Sequence, residues 1–341
     1  MEVLNISEEE YRGINIPSYS LLKAINDSGP KVINNPKEFN SDSIDLGSLV
    51  DCIIFTPEVV NDRFYYKPIE KPTAQLLQLA DKLFEEFQLE LIENGDIQLL
   101  LKNNFNLVFD KVQELALFGN IKDQAKIEAK FNNSLFWDYI QALLDAQGKT
   151  IISPELYQEA EEIVANLKFG SKTSHLFNEF SSINPKEHLH QLKFIIEVDG
   201  QAVKGMLDKV IIDHKNKKIK PYDLKVTEYR QKSFKYQFKS MKYYLQAALY
   251  QEAIHEFKDK NYPDYEVENF RFIVYSRSDR YGYIWQVSDE WLQVGFNGDK
   301  DNNIVGIKEL LKDYYYYVEN EEFIIERDIF ENDELTLEYI S

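Results

Sequence analysis

Residues 205–226 read GMLDKVIIDHKNKKIKPYDLKV, two apolar runs separated by the polar stretch Asp213-His214-Lys215-Asn216-Lys217-Lys218. Apolar runs of this length around a polar turn predict two adjacent β-strands. The first carries Asp208; the second, Ile219 to Val226, carries Asp223 and Lys225. Side chains two apart on a strand share a face, so Asp223 and Lys225 point the same way. Two carboxylates on neighbouring strands suit Mg²⁺, a hard cation that takes oxygen ligands, keeps several waters and is completed by substrate phosphate. A lysine beside them can orient or deprotonate an attacking water and offset charge on the phosphate. The same residues also fit a satisfied strand acid at 208 and a surface ladder of Asp223 with Lys225, and a lone D-x-K does not separate the two readings.

Upstream, Val198-Asp199-Gly200-Gln201 divides Leu189–Val198 from Ala202–Ile212, a hairpin signal because Asp-Gly accepts the backbone of a tight turn. Downstream, Met241 to Phe257 has the spacing of an amphipathic helix, with Gln246 and Tyr250 four apart on one face. Asn269–Ser276 and Tyr281–Val287 read as two more strands, and Ile304–Val318 as a last helix whose Tyr314–Tyr317 run reads as packing. Helix, three strands, helix and two strands make an α/β sandwich. Earlier, Thr73 to about Leu144 is largely helical, with Leu76, Leu79, Leu83, Phe87 and Leu91 at three- and four-residue steps and no catalytic spacing. Ser153-Pro154-Glu155 then starts a helix that should end near Phe169. Residues 1–70 read as short helices and loops punctuated by Pro17, Gly29-Pro30, Pro36 and Pro57.

With 44% hydrophobic residues, the 341-residue chain has ample material for a packed core, in one large or two small domains. The single cysteine, Cys52, excludes a disulfide framework and an iron–sulfur cluster. The start has no basic, apolar leader, and no later run reaches the roughly 20 apolar residues of a membrane span, which predicts a cytoplasmic protein without membrane contact. No glycine-rich phosphate loop is present, so ATP hydrolysis is not expected. His188 and His190 alternate on a strand as a zinc half-site does, yet no third ligand stands at useful spacing.

The net charge of −19 opposes nucleic-acid binding until its distribution is considered. Residues 201–242 hold eleven lysines and one arginine against four acids, a local excess of eight, so the rest of the chain carries −27. That arrangement would focus a polyanion into one cleft and repel it elsewhere. Lys215, Lys217 and Lys218 read as a solvated turn. Arg230, Lys232, Lys235, Lys239 and Lys242 lie between the Asp223 strand and the Gln246 helix, where a DNA backbone would pass.

Taken together, G-M-L-D (205–208), D-L-K-V-T (223–227) and Y-Y-L-Q-A-A-L-Y (243–250) resemble the PD-(D/E)XK nucleases. Within them, the chain is most similar to the RecE and lambda-exonuclease-like recombination nucleases of phages. Ile16-Pro17-Ser18-Tyr19-Ser20-Leu21-Leu22, Gly47-Ser48-Leu49-Val50-Asp51 and Pro57-Glu58 resemble that group's opening, with Asp51 where its histidine usually stands.

The resemblance implies an α/β, restriction-endonuclease-like core with a central mixed sheet flanked by helices at 166–341. A helical N-terminal region at 1–165 would bring the GSLVD motif to the site, Gly47 turning the chain tightly so that Asp51 faces the metal. It implies Mg²⁺, replaceable by Mn²⁺, held by Asp208, Asp223, the Leu224 carbonyl and Asp51. Lys225 would position the water, and Gln246 and Tyr250 would orient lysine and phosphate. Glu187 matches an acidic position ahead of the metal aspartate. The implied activity is digestion of linear double-stranded DNA from 5′ ends, leaving 3′ tails for a single-strand annealing protein, by a ring-like homo-oligomer in the bacterial cytoplasm. The alternatives are a nuclease for other DNA ends or junctions, and a catalytically impaired DNA-binding or assembly protein.

Overall fold

In the computed structural model, Asp199 and Gly200 turn the chain with φ of 51° and 82°, the left-handed pair that a two-residue hairpin requires. The structure describes residues 1–34, 42–94, 103, 105–119, 121, 123–131, 134–178, 186–327 and 329. Two units result, residues 1–55 with 162–341, and residues 56–161.

The larger unit is built on one mixed sheet. Its strands are β1 (Glu2–Leu4), β2 (Lys186–Val198), β3 (Gln201–Asp213), β4 (Lys218–Thr227), β5 (Glu266–Val267), β6 (Arg271–Ser276) and β7 (Tyr281–Gln286), in the order β1-β2-β3-β4-β6-β7, with β5 also on β4. All neighbours are antiparallel except β4 with β6 and β5, which are parallel. A parallel neighbour needs a crossover. Here the crossover holds α4 (Phe234–Ser240) and α5 (Tyr243–Asn261), labelled after α1 (Glu8–Gly13), α2 (Tyr19–Ser28) and α3 (Asp42–Phe55). These two, α4 and α5, are followed by α6 (Asp289–Asn297) and α7 (Ile307–Glu319).

Helices α2, α5, α6 and α7 cover one face of the sheet, where Leu22, Leu249, Leu292 and Leu311 join Phe194, Val210 and Phe272 in a single buried cluster. Tyr314 and Tyr317 belong to the same cluster, so the tyrosine run of α7 is packing, as its spacing suggested. Helix α5 departs from expectation. Instead of one buried face it is buried all round from Tyr244 to Gln251, because α6 and α7 close over the side that a sheet alone would leave exposed.

Pro154–Phe169 is helical, as its start signal predicted, with Ser153 Oγ accepting from the Leu156 N–H at 3.2 Å. The smaller unit packs the helices Ala74–Asn94, Phe105–Glu114 and Ser134–Ala146 around Leu79, Leu83, Val112, Phe136 and Ile140. Within the helical stretch expected from Thr73 to Leu144, residues 95–102, 104, 120, 122, 132 and 133 lie outside the described residues, as does Pro36 before it. The expected division at residue 165 differs from the observed units: residues 1–55 belong with the sheet. The reason is long-range pairing, since β1 pairs with β2 and α2 packs into the sheet's core.

The glycine of G-M-L-D serves packing rather than a turn. Gly205 stands opposite Phe194 on β2, and a Cβ there would overlap the Phe194 ring at its Cζ. That ring in turn meets Tyr250 edge-on at 5.5 Å. Gly205→Ala should therefore lower stability by about 1–3 kcal/mol, the usual cost of overpacking a filled core, as measured by denaturant unfolding. An unchanged midpoint would mean that Phe194 has room to move.

Candidate active site

The β3–β4 ladder runs from Asp213 opposite Lys218 to Lys209 opposite Tyr222 and ends there. Asp208 and Asp223 occupy the next position on each strand. Leu224, beyond the ladder, gives its N–H to Asp208 Oδ2 at 2.8 Å, so a carboxylate replaces the carbonyl that a regular sheet would have supplied. A strand residue's N–H and C=O point to the same side, which aims the Leu224 carbonyl at the same gap.

The edge of β3 vacated by β4 is filled from the N-terminus. Lys204 N–H donates to Pro17 O at 2.9 Å, and Ser18 bridges Lys204 in parallel. The Lys204 ammonium, buried, donates to the carbonyls of Tyr11, Arg12 and Ile14 at 2.9, 3.1 and 2.7 Å. The Ile16–Leu22 motif is thus part of the wall that keeps the two strands apart.

Asp223 is 2% exposed and held from two sides: Gln246 Nε2 of α5 donates to Oδ1 at 2.6 Å, and Lys225 Nζ pairs with Oδ2 at 2.6 Å. Lys225 also lies 5.1 Å from the Tyr243 ring centroid and 5.9 Å from that of Phe272. Burial pulls the Lys225 pKa down, but Asp223, Tyr243 and Asp208 outweigh it and the net shift is upward, so the side chain is an ammonium and not a base. Tyr250, one turn beyond Gln246, is buried; burial, then Tyr11 and the charges of Asp223 and Asp208, hold its hydroxyl well above the usual phenol range. Asp208 is pushed well above the usual carboxylate range, first by desolvation and then by Asp223 and Asp51.

Asp51 therefore lies within electrostatic reach of Asp208, and its Oδ2 accepts from Gln191 Nε2 at 2.6 Å. Gly47 does not turn the chain, contrary to expectation: it sits inside α3, with open space where a Cβ would be. Asp51 is positioned by the helix itself.

Gln191 was not singled out from the sequence. It lies on β2 between the pairs His190–Lys209 and Leu192–Leu207, abreast of Asp208, with φ of 48°. A non-glycine residue rarely takes that conformation inside a strand. Core-facing residues shift parity around it: Leu192, Phe194 and Ile196 face the core on one side, Leu189 packs there on the other, and β3 shifts in step between Leu207 and Val210. The sequence signal was a leucine spacing of three, Leu189 to Leu192, inside an otherwise alternating strand.

Glu187 is not brought to this site. It pairs with Ile212, four residues along β3 from Asp208, and accepts from Tyr262 Oη at 3.0 Å beside His214. His190 is engaged by Lys209 Nζ at 2.8 Å and by the Phe55 ring. Arg230, Lys232, Lys235 and Lys239 are exposed, whereas Lys242 pairs with Asp27 at 2.7 Å.

Asp208 and Asp223 stand beside the Lys225 ammonium, with Asp51 within electrostatic reach of Asp208, and acids crowded in this way suit a dication. Gln246 Oε1, buried and without a hydrogen-bond partner, adds an uncommitted oxygen. Among the described residues, no three His, Cys, Asp or Glu side chains form a ready-made metal cage. Asp208, Asp223 and the Leu224 carbonyl are oxygen donors, the donor chemistry that a hard cation takes.

No family model and no curated protein matches the chain. Among solved structures it is similar to a provisionally assigned exonuclease from Eubacterium rectale, with 14% identity and a TM-score of 0.42 over 99% of this chain and 97% of the other.

The raised pKa of Asp208 fixes the sign of a pH effect. Above the ordinary carboxylate range the folded chain retains a proton that the unfolded chain has lost, so folding is favoured at acid pH and weakens as pH rises through the raised value. In chelator, the melting temperature should fall from weakly acid to neutral pH. Asp208→Asn, which keeps an acceptor for Leu224 N–H, should flatten that slope and melt higher than wild type at neutral pH. A variant that melts lower at every pH would show Asp208 to be a purely structural acceptor.

Proposed function

We propose that the chain is a metal-dependent deoxyribonuclease of PD-(D/E)XK type, an exonuclease that digests linear double-stranded DNA from the 5′ end. It would leave a 3′ tail for a single-strand annealing protein in recombination, act as a ring-like homo-oligomer and work in the cytoplasm. The observation that carries this reading is the placement of Asp208 and Asp223 side by side where a ladder ends, with Lys225 on the same strand and face as Asp223.

Asp208, Asp223 and the Leu224 carbonyl would hold Mg²⁺ or Mn²⁺, with Asp51 as a further oxygen. When bound, the ion supplies Lewis acidity toward a phosphate oxygen and lowers the pKa of a coordinated water. Gln246, by donating to Asp223 Oδ1, fixes which carboxylate oxygen turns toward Lys225. Lys225, held protonated, offers a fixed positive charge to the phosphate as negative charge builds in the transition state. Tyr250, kept un-ionised by burial, keeps a phenol proton one helical turn from Gln246. The exposed cations at 230, 232, 235 and 239 would meet the DNA backbone, which an acidic surface elsewhere repels.

The test is duplex DNA labelled at either the 5′ or the 3′ end, with and without Mg²⁺, beside a closed circle. Mg²⁺-dependent release of nucleotides from linear DNA alone is expected. Asp223→Asn should abolish it, and Lys225→Ala should lower the rate by roughly a hundredfold, since one positioned charge is worth on the order of 3 kcal/mol. Cleavage of the circle would redirect the reading to an endonuclease, and near-wild-type digestion by either variant would remove these residues from the chemistry.

A further inference from the structure

Where β4 leaves the sheet, two large aromatic rings stand in solvent: Tyr229 is 61% exposed and Tyr236 is 68% exposed. Neither contributes to the core. The inner face of α4 is Phe234 and Phe238, both buried, so Lys235, Tyr236 and Lys239 form its outer face. Lys235 Nζ lies 4.8 Å from the Tyr236 ring centroid. Arg230 and Lys232, between the two tyrosines, are also exposed. Cations and aromatic faces are interleaved over eleven residues, 229 to 239, in a chain whose remaining charge is strongly acidic.

The frame beneath is fixed. Buried Gln231 donates through Nε2 to the carbonyls of Val274 and Tyr281 at 2.7 and 3.1 Å and accepts from Trp285 Nε1 at 3.0 Å. Its own N–H donates to Asp279 at 2.7 Å, and Ser276 Oγ donates to Tyr229 O at 2.8 Å. Thr227 Oγ1, two residues beyond Lys225, donates to Gln237 Oε1 at 2.9 Å and ties α4 to the end of the catalytic strand. Little ordering entropy remains to be lost when a ligand meets rings carried on such a frame.

We propose that this surface binds single-stranded nucleic acid, with bases stacking on Tyr229 and Tyr236 and phosphates meeting Arg230, Lys232, Lys235 and Lys239. The inference rests on the nuclease reading only for its purpose, which is to hold an unpaired strand next to Lys225. A paired base shows its face to its neighbours in the stack, so a ring can stack only on an unpaired one. A protein partner of apolar character would meet Arg230 beside the first ring and Lys235 beside the second. The stacking is insensitive to sequence because every base has a π-face.

The experiment uses the full chain carrying Asp223→Asn, in chelator, with fluorescein-labelled oligo(dT) and a duplex closed at both ends, read by anisotropy across a salt series. Tyr229→Ala and Tyr236→Ala should each weaken oligo(dT) binding by about tenfold, the scale of one base stacked on an aromatic ring. Duplex affinity and salt slope should not change, and Tyr236→Phe should bind as the parent does. Lys235→Gln with Lys239→Gln should lower the salt slope for oligo(dT) by about 1.4, at roughly 0.7 per phosphate contact. Unchanged oligo(dT) affinity in the alanine variants, or an equal loss on duplex, overturns the proposal. A change only in sedimentation would assign the rings to a contact between protein chains instead. Digestion assays on the chain with Asp223 intact separate the two readings: no cleavage with tyrosine-dependent binding sinks the nuclease, and cleavage with tyrosine-independent binding sinks this inference alone.

Discussion

Two carboxylates that repel each other are held abreast where β3 and β4 stop pairing, and much of the larger unit follows from keeping them there. Leu224 N–H satisfies Asp208 and Gln246 satisfies Asp223, while Lys225 offsets one charge. The N-terminal segment occupies the edge of β3 that β4 gives up, through Pro17, Ser18 and the capping ammonium of Lys204. Without that wedge the strands would gain by zipping onward, because unpaired backbone groups inside a protein are costly. The two acids would then be drawn into an ordinary ladder. Desolvation and mutual repulsion raise Asp208 further, a cost of the kind that sites keep when a ligand offsets it.

The sheet was legible because its signals are local. Asp-Gly at the hairpin, the proline at the start of the Pro154 helix and the alternation of apolar residues each depend on a few neighbours. Asp223, Lys225 and Gln246 were legible for the same reason, since strand and helix periods fix their faces. What the sequence hid was long-range. Gln191 takes a left-handed conformation that its residue type does not favour, and only the pairing of β2 with β3 places it abreast of Asp208. Residues 1–55 fold with a sheet more than a hundred residues away, which no local pattern reports. Glu187 looked like a site acid because a position in a motif says nothing about register, and four residues along a strand is about 13 Å.

Helix α5 explains why a polar pair can be so deeply placed. It is buried on every side from Tyr244 to Gln251, so Gln246 at 5% exposure cannot turn to solvent, and its Nε2 finds its acceptor in Asp223. A glutamine in that position is pre-oriented, and so is the carboxylate it holds. The same burial excludes water from Asp223, the partner of half-buried Lys225, and strengthens their attraction at short range. On the proposed function, the concentrated positive surface beside an otherwise acidic chain would bring a polyanion to the place where that charge can act.

Direct metal binding tests this account more closely than turnover does, because it isolates the paired carboxylates from every later step. Mn²⁺ titrated into the chain and followed by electron paramagnetic resonance should give saturable binding. Asp208→Asn and Asp223→Asn should each weaken it on the order of tenfold or more, and Asp51→Ala should weaken it less. Identical isotherms for wild type and the Asp208→Asn, Asp223→Asn double variant would contradict the central claim, and would leave the two acids as a strained but metal-free feature of the sheet.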